Sequence, residues 1–221
     1  MKLDFTKAVE AKESGRFLSP GIKNATFQGV EFSIVTGKDG QNYQTMLLKL
    51  DVDGYGLYTQ NFFEPKTDER KDNAWGGKNA SPADDFLILV RELLQALDAD
   101  IFEKLNNGTI TIKGKGKLNG TFKELVLAMI ELTAPYIDTD VEVKFLPQNT
   151  GFAAIPTFIA KITRNNELAI RTWVIGHDLT LDDREKKQIE AAANARPTNM
   201  ANNNLVQDMK DDLEGDDDMP F

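Results

Sequence analysis

The chain has 221 residues, 41% hydrophobic and 28% charged, with a formal net charge of -9 and no cysteine. Such a length buries one sizeable core, and the missing cysteines exclude disulfides, thiolate metal sites and a cysteine nucleophile. No apolar run reaches the length of a membrane span and the first residues, with Asp4, Glu10 and Glu13, hold no secretory apolar segment, so a cytoplasmic protein with no membrane partner is expected.

Along the chain, residues 1 to 20 mix charge with scattered apolar positions and read as a loosely docked arm or short helix. Ile22 to Val35 is strand-like, and Gly29 inside it marks a bulge or sharp bend of the kind small barrels need. After a turn at Gly37 to Gly40, residues 43 to 51 and 55 to 63 form a hairpin across Val52, Asp53 and Gly54. Alternation puts Gln44, Met46, Leu48 and Leu50 on one face of the first strand, and Tyr43, Thr45, Leu47 and Lys49 on the other. In the second, Tyr58 and Phe62 share a face, with Tyr55, Leu57 and Phe63 opposite. Residues 66 to 80 make a charged, Gly-rich surface loop containing Trp75.

Ser81 and Pro82 open a helix, with Asp84 and Asp85 complementing its dipole; a second helical piece spans Ala99 to Leu105 and a third Thr121 to Leu132. Between them, residues 104 to 123 carry five lysines and no acid, either as a solvated loop or as a contact for phosphates. Strands are expected at 139 to 147, 153 to 163 and 167 to 175, the last two joined by a tight turn at Asn165 and Asn166. Asp182 to Ala195 is a polar helix, and the Asn-rich stretch from Arg196 to Asn204 is a tether. This order predicts a mainly β fold with helical insertions: an OB-fold-like barrel of five or six strands plus a disordered acidic C-terminal tail, with an open α+β sheet as the alternative.

A charge of -9 ordinarily argues against nucleic acid, yet residues 208 to 221 hold seven acids and one base, so the body is only mildly acidic. No catalytic constellation emerges: His177 reads as a surface or capping residue, the acidic pairs sit at helix starts, and no phosphate-binding loop is present. No enzyme activity, metal or cofactor is expected. Binding of unpaired nucleotides needs π-faces and cations. Tyr43, Tyr58, Phe62 and Trp75 are the stacking candidates, with core packing the alternative for each; Lys38, Lys49, Lys113, Lys115, Lys117, Lys161, Arg164 and Arg171 are the phosphate candidates. Trp173 fits either role.

The last six residues are Asp216, Asp217, Asp218, Met219, Pro220 and Phe221. Three adjacent carboxylates and a proline keep this string extended, which suits either a solubilising tail or a peptide captured in a basic-rimmed apolar pocket. The string resembles the acidic tip of bacterial single-stranded DNA-binding proteins, with Met219 in place of their usual Ile. Without that family's long Gly/Gln/Pro-rich linker, the chain looks like a divergent, phage-type member. The resemblance implies sequence-independent binding of single-stranded DNA in replication, recombination and repair, with the tip docking partner enzymes such as a polymerase, helicase, primase or nuclease. The implied organisation is a binding domain over residues 1 to 177 with its insertion at about 81 to 134, a helix and linker over 178 to 207, and a docking tail over 208 to 221. A protein-binding adaptor with an acidic recruitment tail and no nucleic-acid binding is the alternative.

Overall fold

The computed structural model describes residues 17 to 74, 77 to 106, 121 to 148 and 152 to 195. Its frame is a strongly curled, half-barrel antiparallel sheet, mainly β with a few helices. Strand β1 (Gly21–Thr36) is long enough to serve both sides of the curl. Its first residues pair with β4 (Asp140–Pro147) and the remainder with β2 (Asn42–Val52), so Ala25 faces Val52 on one side and Val141 on the other. The register slips between Phe27 and Gly29, where Gly29 adopts a φ of 113°. That backbone favours glycine, and the bulge turns the strand from one partner to the next.

β2 returns to β3 (Gly56–Phe63) through a turn in which Gly54 takes a φ of 71° and Tyr55 N–H donates to the Val52 carbonyl at 2.9 Å. The register pairs Leu50 with Tyr58, Met46 with Phe62 and Thr45 with Phe63. Met46, Leu48 and Leu50 are fully buried, while Leu57 and Phe63 stand exposed on the opposite face. The expected alternation therefore holds, and it separates Tyr58 and Phe62 from the outward face.

Helix α1 (Pro82–Leu97) buries Phe86, Leu89, Val90, Leu93 and Leu94 in the core. Each such side chain removed from water contributes about 1.5 to 3 kcal/mol. Its start is fixed by reciprocal bonds: Ser81 Oγ accepts from Asp84 N–H at 3.1 Å, and the Asp84 carboxylate accepts from Ser81 N–H at 2.9 Å. Arg70 donates twice to the same carboxylate at 2.8 Å and ties the preceding loop to the helix. Helix α2 (Ala99–Asn106) follows, with Phe102 under the Arg91 guanidinium at 5.4 Å. Helix α3 (Phe122–Thr133) packs against β1 and contributes the buried Val126 and Met129.

The later strands depart from expectation. In place of continuous strands over 153 to 163 and 167 to 175 lie four short pieces: β5 (Ala153–Ala154), β6 (Ala160–Ile162), β7 (Leu168–Ile170) and β8 (Ile175–Gly176). β5 and β8 pair with β4, while β6 and β7 form a separate two-stranded sheet whose turn places Asn166 at a φ of 62°. The physical reason is that side chains hold the intervening backbone. Asp85 accepts from Ile159 and Ala160 N–H at 2.8 Å, and Glu92 accepts from Val174 and Ile175 N–H at 2.7 and 3.2 Å. These acids are seven residues apart, two turns of α1, and so project from one side of it.

Helix α4 (Asp183–Ala195) forms where the polar helix was expected, but it is docked. Glu185 at its first turn meets Lys144 of β4 at 2.9 Å, with both side chains nearly free of solvent, so the folded body continues past residue 177. Among the described residues no helix is long and apolar enough to cross a membrane.

Candidate nucleic-acid interface

The outward face of β1 to β3 follows from the register. Val35 lies opposite Tyr43, Glu31 opposite Leu47, and Thr45 opposite Phe63. At the end of this face Tyr43 and Phe63 meet edge to face, their centroids 6.2 Å apart and their planes at 84°. The Lys66 ammonium lies 5.6 Å from the Tyr43 centroid. Tyr43 donates its hydroxyl hydrogen to Asp39, which holds the Asp39 carboxyl below its ordinary range and fixes the ring. A π-surface with an adjacent ammonium is the pairing that unpaired bases and their phosphates require.

The expected site residues divide. Tyr43 and Lys49 occupy this face and Lys38 is exposed in the turn just before it, but Lys49 is paired with Glu31. Tyr58 points inward, half-buried, its ring 4.9 Å from Phe145 and its hydroxyl bonded to Gln60; burial raises its phenol to about 12. Phe62 is 7% exposed within the core. For both, core packing replaces the expected stacking role, because their register partners Leu50 and Met46 face inward. Lys161, Arg164 and Arg171 are exposed on or beside the β6–β7 sheet, which forms no ladder with β2 or β3. Trp75, Lys113, Lys115, Lys117 and Asp216, Asp217, Asp218, Met219, Pro220 and Phe221 lie outside the described residues.

Phe63 and Lys66 were missed by the sequence reading. The signal for Phe63 was available: counting back from the hairpin turn puts it on the Tyr43 face. Lys66 follows Pro65 in a loop, where no period assigns a side.

Beside Phe63 a groove of about 380 Å³ opens between the end of β3, the start of α1 and residues 156 to 159. A second crevice, of about 590 Å³, lies where α1, β4 and the start of α4 meet. It contains Lys144, Thr172, Glu185 and Glu92, and its charged groups are mostly engaged. Lys144 donates to both Glu185 oxygens and to Thr172, and Thr172 donates to Glu185 at 2.7 Å. Glu92 is fully buried, its Oε1 has no hydrogen-bond partner among the described residues, and burial pushes its carboxyl up to about 7. His177 bonds the Ala96 carbonyl through Nε2 at 2.9 Å at the end of α1, in keeping with a capping role. No protein-family model matches the chain, and no curated protein or solved structure is significantly similar to it.

Proposed function

We propose that the protein binds single-stranded DNA without dependence on sequence, through the outward face of an OB-fold-like curled sheet, and recruits replication or recombination enzymes through residues 216 to 221. The observation that carries the reading is the pairing of half-buried Tyr43 with exposed Phe63, with Lys66 over the Tyr43 ring. Stacking on such rings contributes about 1 to 3 kcal/mol per base and accepts any base. The acidic string ending in Met-Pro-Phe supports the recruiting role by its resemblance to a known docking tip.

Fluorescence titration of oligo-dT at several salt concentrations tests it. Affinity falls as salt rises, with a slope near -0.7 per phosphate neutralised. Deleting residues 213 to 221 leaves or improves DNA affinity and abolishes capture of partner enzymes; loss of DNA binding in that truncation contradicts the division of labour.

The adaptor reading retains one supporting observation, the exposure of the apolar side chains Leu57 and Phe158 at 65% and 76%. It predicts no change in anisotropy of a labelled oligonucleotide at any salt concentration.

A further inference from the structure

The groove beside Phe63 is lined mainly by aromatic and aliphatic side chains, with Phe62 and Phe86 buried beneath it. Phe63 and Phe158 belong to its lining yet remain 52% and 76% exposed. Lys66 also lines it and carries its ammonium toward Tyr43, so the groove is continuous with the outward face through two shared residues. Asn61, Glu64 and Thr157 add polar groups to the lining, and Asp85 is the one that also holds the backbone of the groove's far wall. Asp85 uses Oδ1 for both Ile159 and Ala160 N–H, and its Oδ2 has no hydrogen-bond partner among the described residues.

We infer that this groove takes one unpaired nucleobase of the bound strand, its ring against Phe63 and Phe158 and an exocyclic amino group donating to Asp85. The inference rests on the single-strand-binding reading above and adds a base preference at one position of an otherwise sequence-tolerant site. Adenine, cytosine and guanine each carry an amino donor. Thymine offers only an N3–H set between two carbonyl oxygens, which a carboxylate repels. Lys66 at the lip supplies the cation for the phosphate that follows the inserted base. A peptide would satisfy the apolar walls and could donate to Asp85, but the continuity of the groove with the Tyr43–Phe63 face and the Lys66 ammonium suits a nucleotide strand already lying on that face.

Anisotropy titrations of labelled oligo-dC and oligo-dT of equal length, with wild type, Asp85→Asn and Phe158→Ala, test this. In Asp85→Asn the amide oxygen keeps the two backbone N–H bonds, because only an oxygen accepts them, and its NH2 replaces the free carboxylate oxygen. The dC-to-dT affinity ratio then falls by about tenfold, the effect of exchanging one acceptor for a donor at the contact with the base. Phe158→Ala, at a side chain too exposed to support the core, weakens both oligomers severalfold. An unchanged ratio in Asp85→Asn, with a wild-type urea midpoint confirming that it folds, overturns the inference; so does wild-type affinity in Phe158→Ala. In both cases DNA binding that still depends on Phe63 leaves the broader reading intact, whereas wild-type protein that binds neither oligomer overturns both.

Discussion

The Gln60 side chain and the Ile155 backbone form a reciprocal pair: Gln60 Nε2 donates to the Ile155 carbonyl and Ile155 N–H donates to Gln60 Oε1, each at 3.0 Å. β3 is an edge of the sheet, and the returning chain beside it makes no ladder with it. One amide side chain therefore supplies, in both directions, the bonds that a paired strand would provide. Buried backbone donors and acceptors require such partners, and Ile155 is 1% exposed.

Replacing Gln60 with Ala leaves the Ile155 N–H and carbonyl without partners. At about 1 to 3 kcal/mol for each stranded group, the expected loss is about 2 to 6 kcal/mol in urea unfolding. A loss under about 0.5 kcal/mol, the range of ordinary surface changes, would show that water reaches these groups and that the curl does not depend on them.

The Lys144–Glu185 pair makes α4's first turn part of the folded body. Lys144→Met leaves a buried carboxylate without its cation and costs about 3 to 5 kcal/mol, whereas Lys144→Met with Glu185→Leu recovers most of that. Chain length gives a second readout. Removing residues 196 to 221 leaves the urea midpoint unchanged, while removing 178 to 221 lowers it sharply. Equal midpoints for the two truncations would place the limit of the folded body at residue 177 after all.

The chain's periodicity made the first half of the fold legible and obscured the second. β1 to β3, the turn at Asp53 and Gly54, and the capped start of α1 all carry local signals, and the structure forms them where those signals fall. Residues 153 to 175 have apolar residues at strand-like density, but their backbone bonds go to Gln60, Asp85 and Glu92, between 74 and 95 residues away. No local pattern encodes that. The site was half legible for a related reason: composition marked Tyr58 and Phe62 as aromatic candidates, while only the register showed that they face Phe145 and the core.

Glu92 makes stability depend on pH in an unusual direction. Burial pushes its carboxyl from 4.5 up to about 7, so between those values the folded state holds a proton that the unfolded chain has released. Its contribution is fully present below 4.5 and is lost as pH rises through 7, a change of about 3 kcal/mol. Asp85, raised by burial, adds to the same slope, whereas Asp39, Asp84 and Asp98 are lowered and act in the opposite sense, losing their contribution as pH falls below their ordinary range. Urea midpoints measured from pH 5 to 8 should decline with rising pH in wild type and flatten in Glu92→Gln. An equal decline in the variant would assign the slope to other groups.

Adjacent phenylalanines offer the sharpest separation of core from interface. Phe62 faces Met46 across the ladder in the core, and Phe63 faces Thr45 on the outward side. Phe62→Ala opens a cavity and costs about 3 to 5 kcal/mol of stability. Phe63→Ala is expected to change stability by less than about 1 kcal/mol, since its ring is half exposed, while lowering oligonucleotide affinity by about tenfold or more through the loss of one stacking surface. Tyr43→Ala should match it in affinity, and Tyr43→Phe should fall between them, because it keeps the π-face but frees the ring from Asp39. If Phe63→Ala binds oligo-dT as wild type does, while Phe62→Ala remains folded and binds poorly, the assignment of the two faces is reversed.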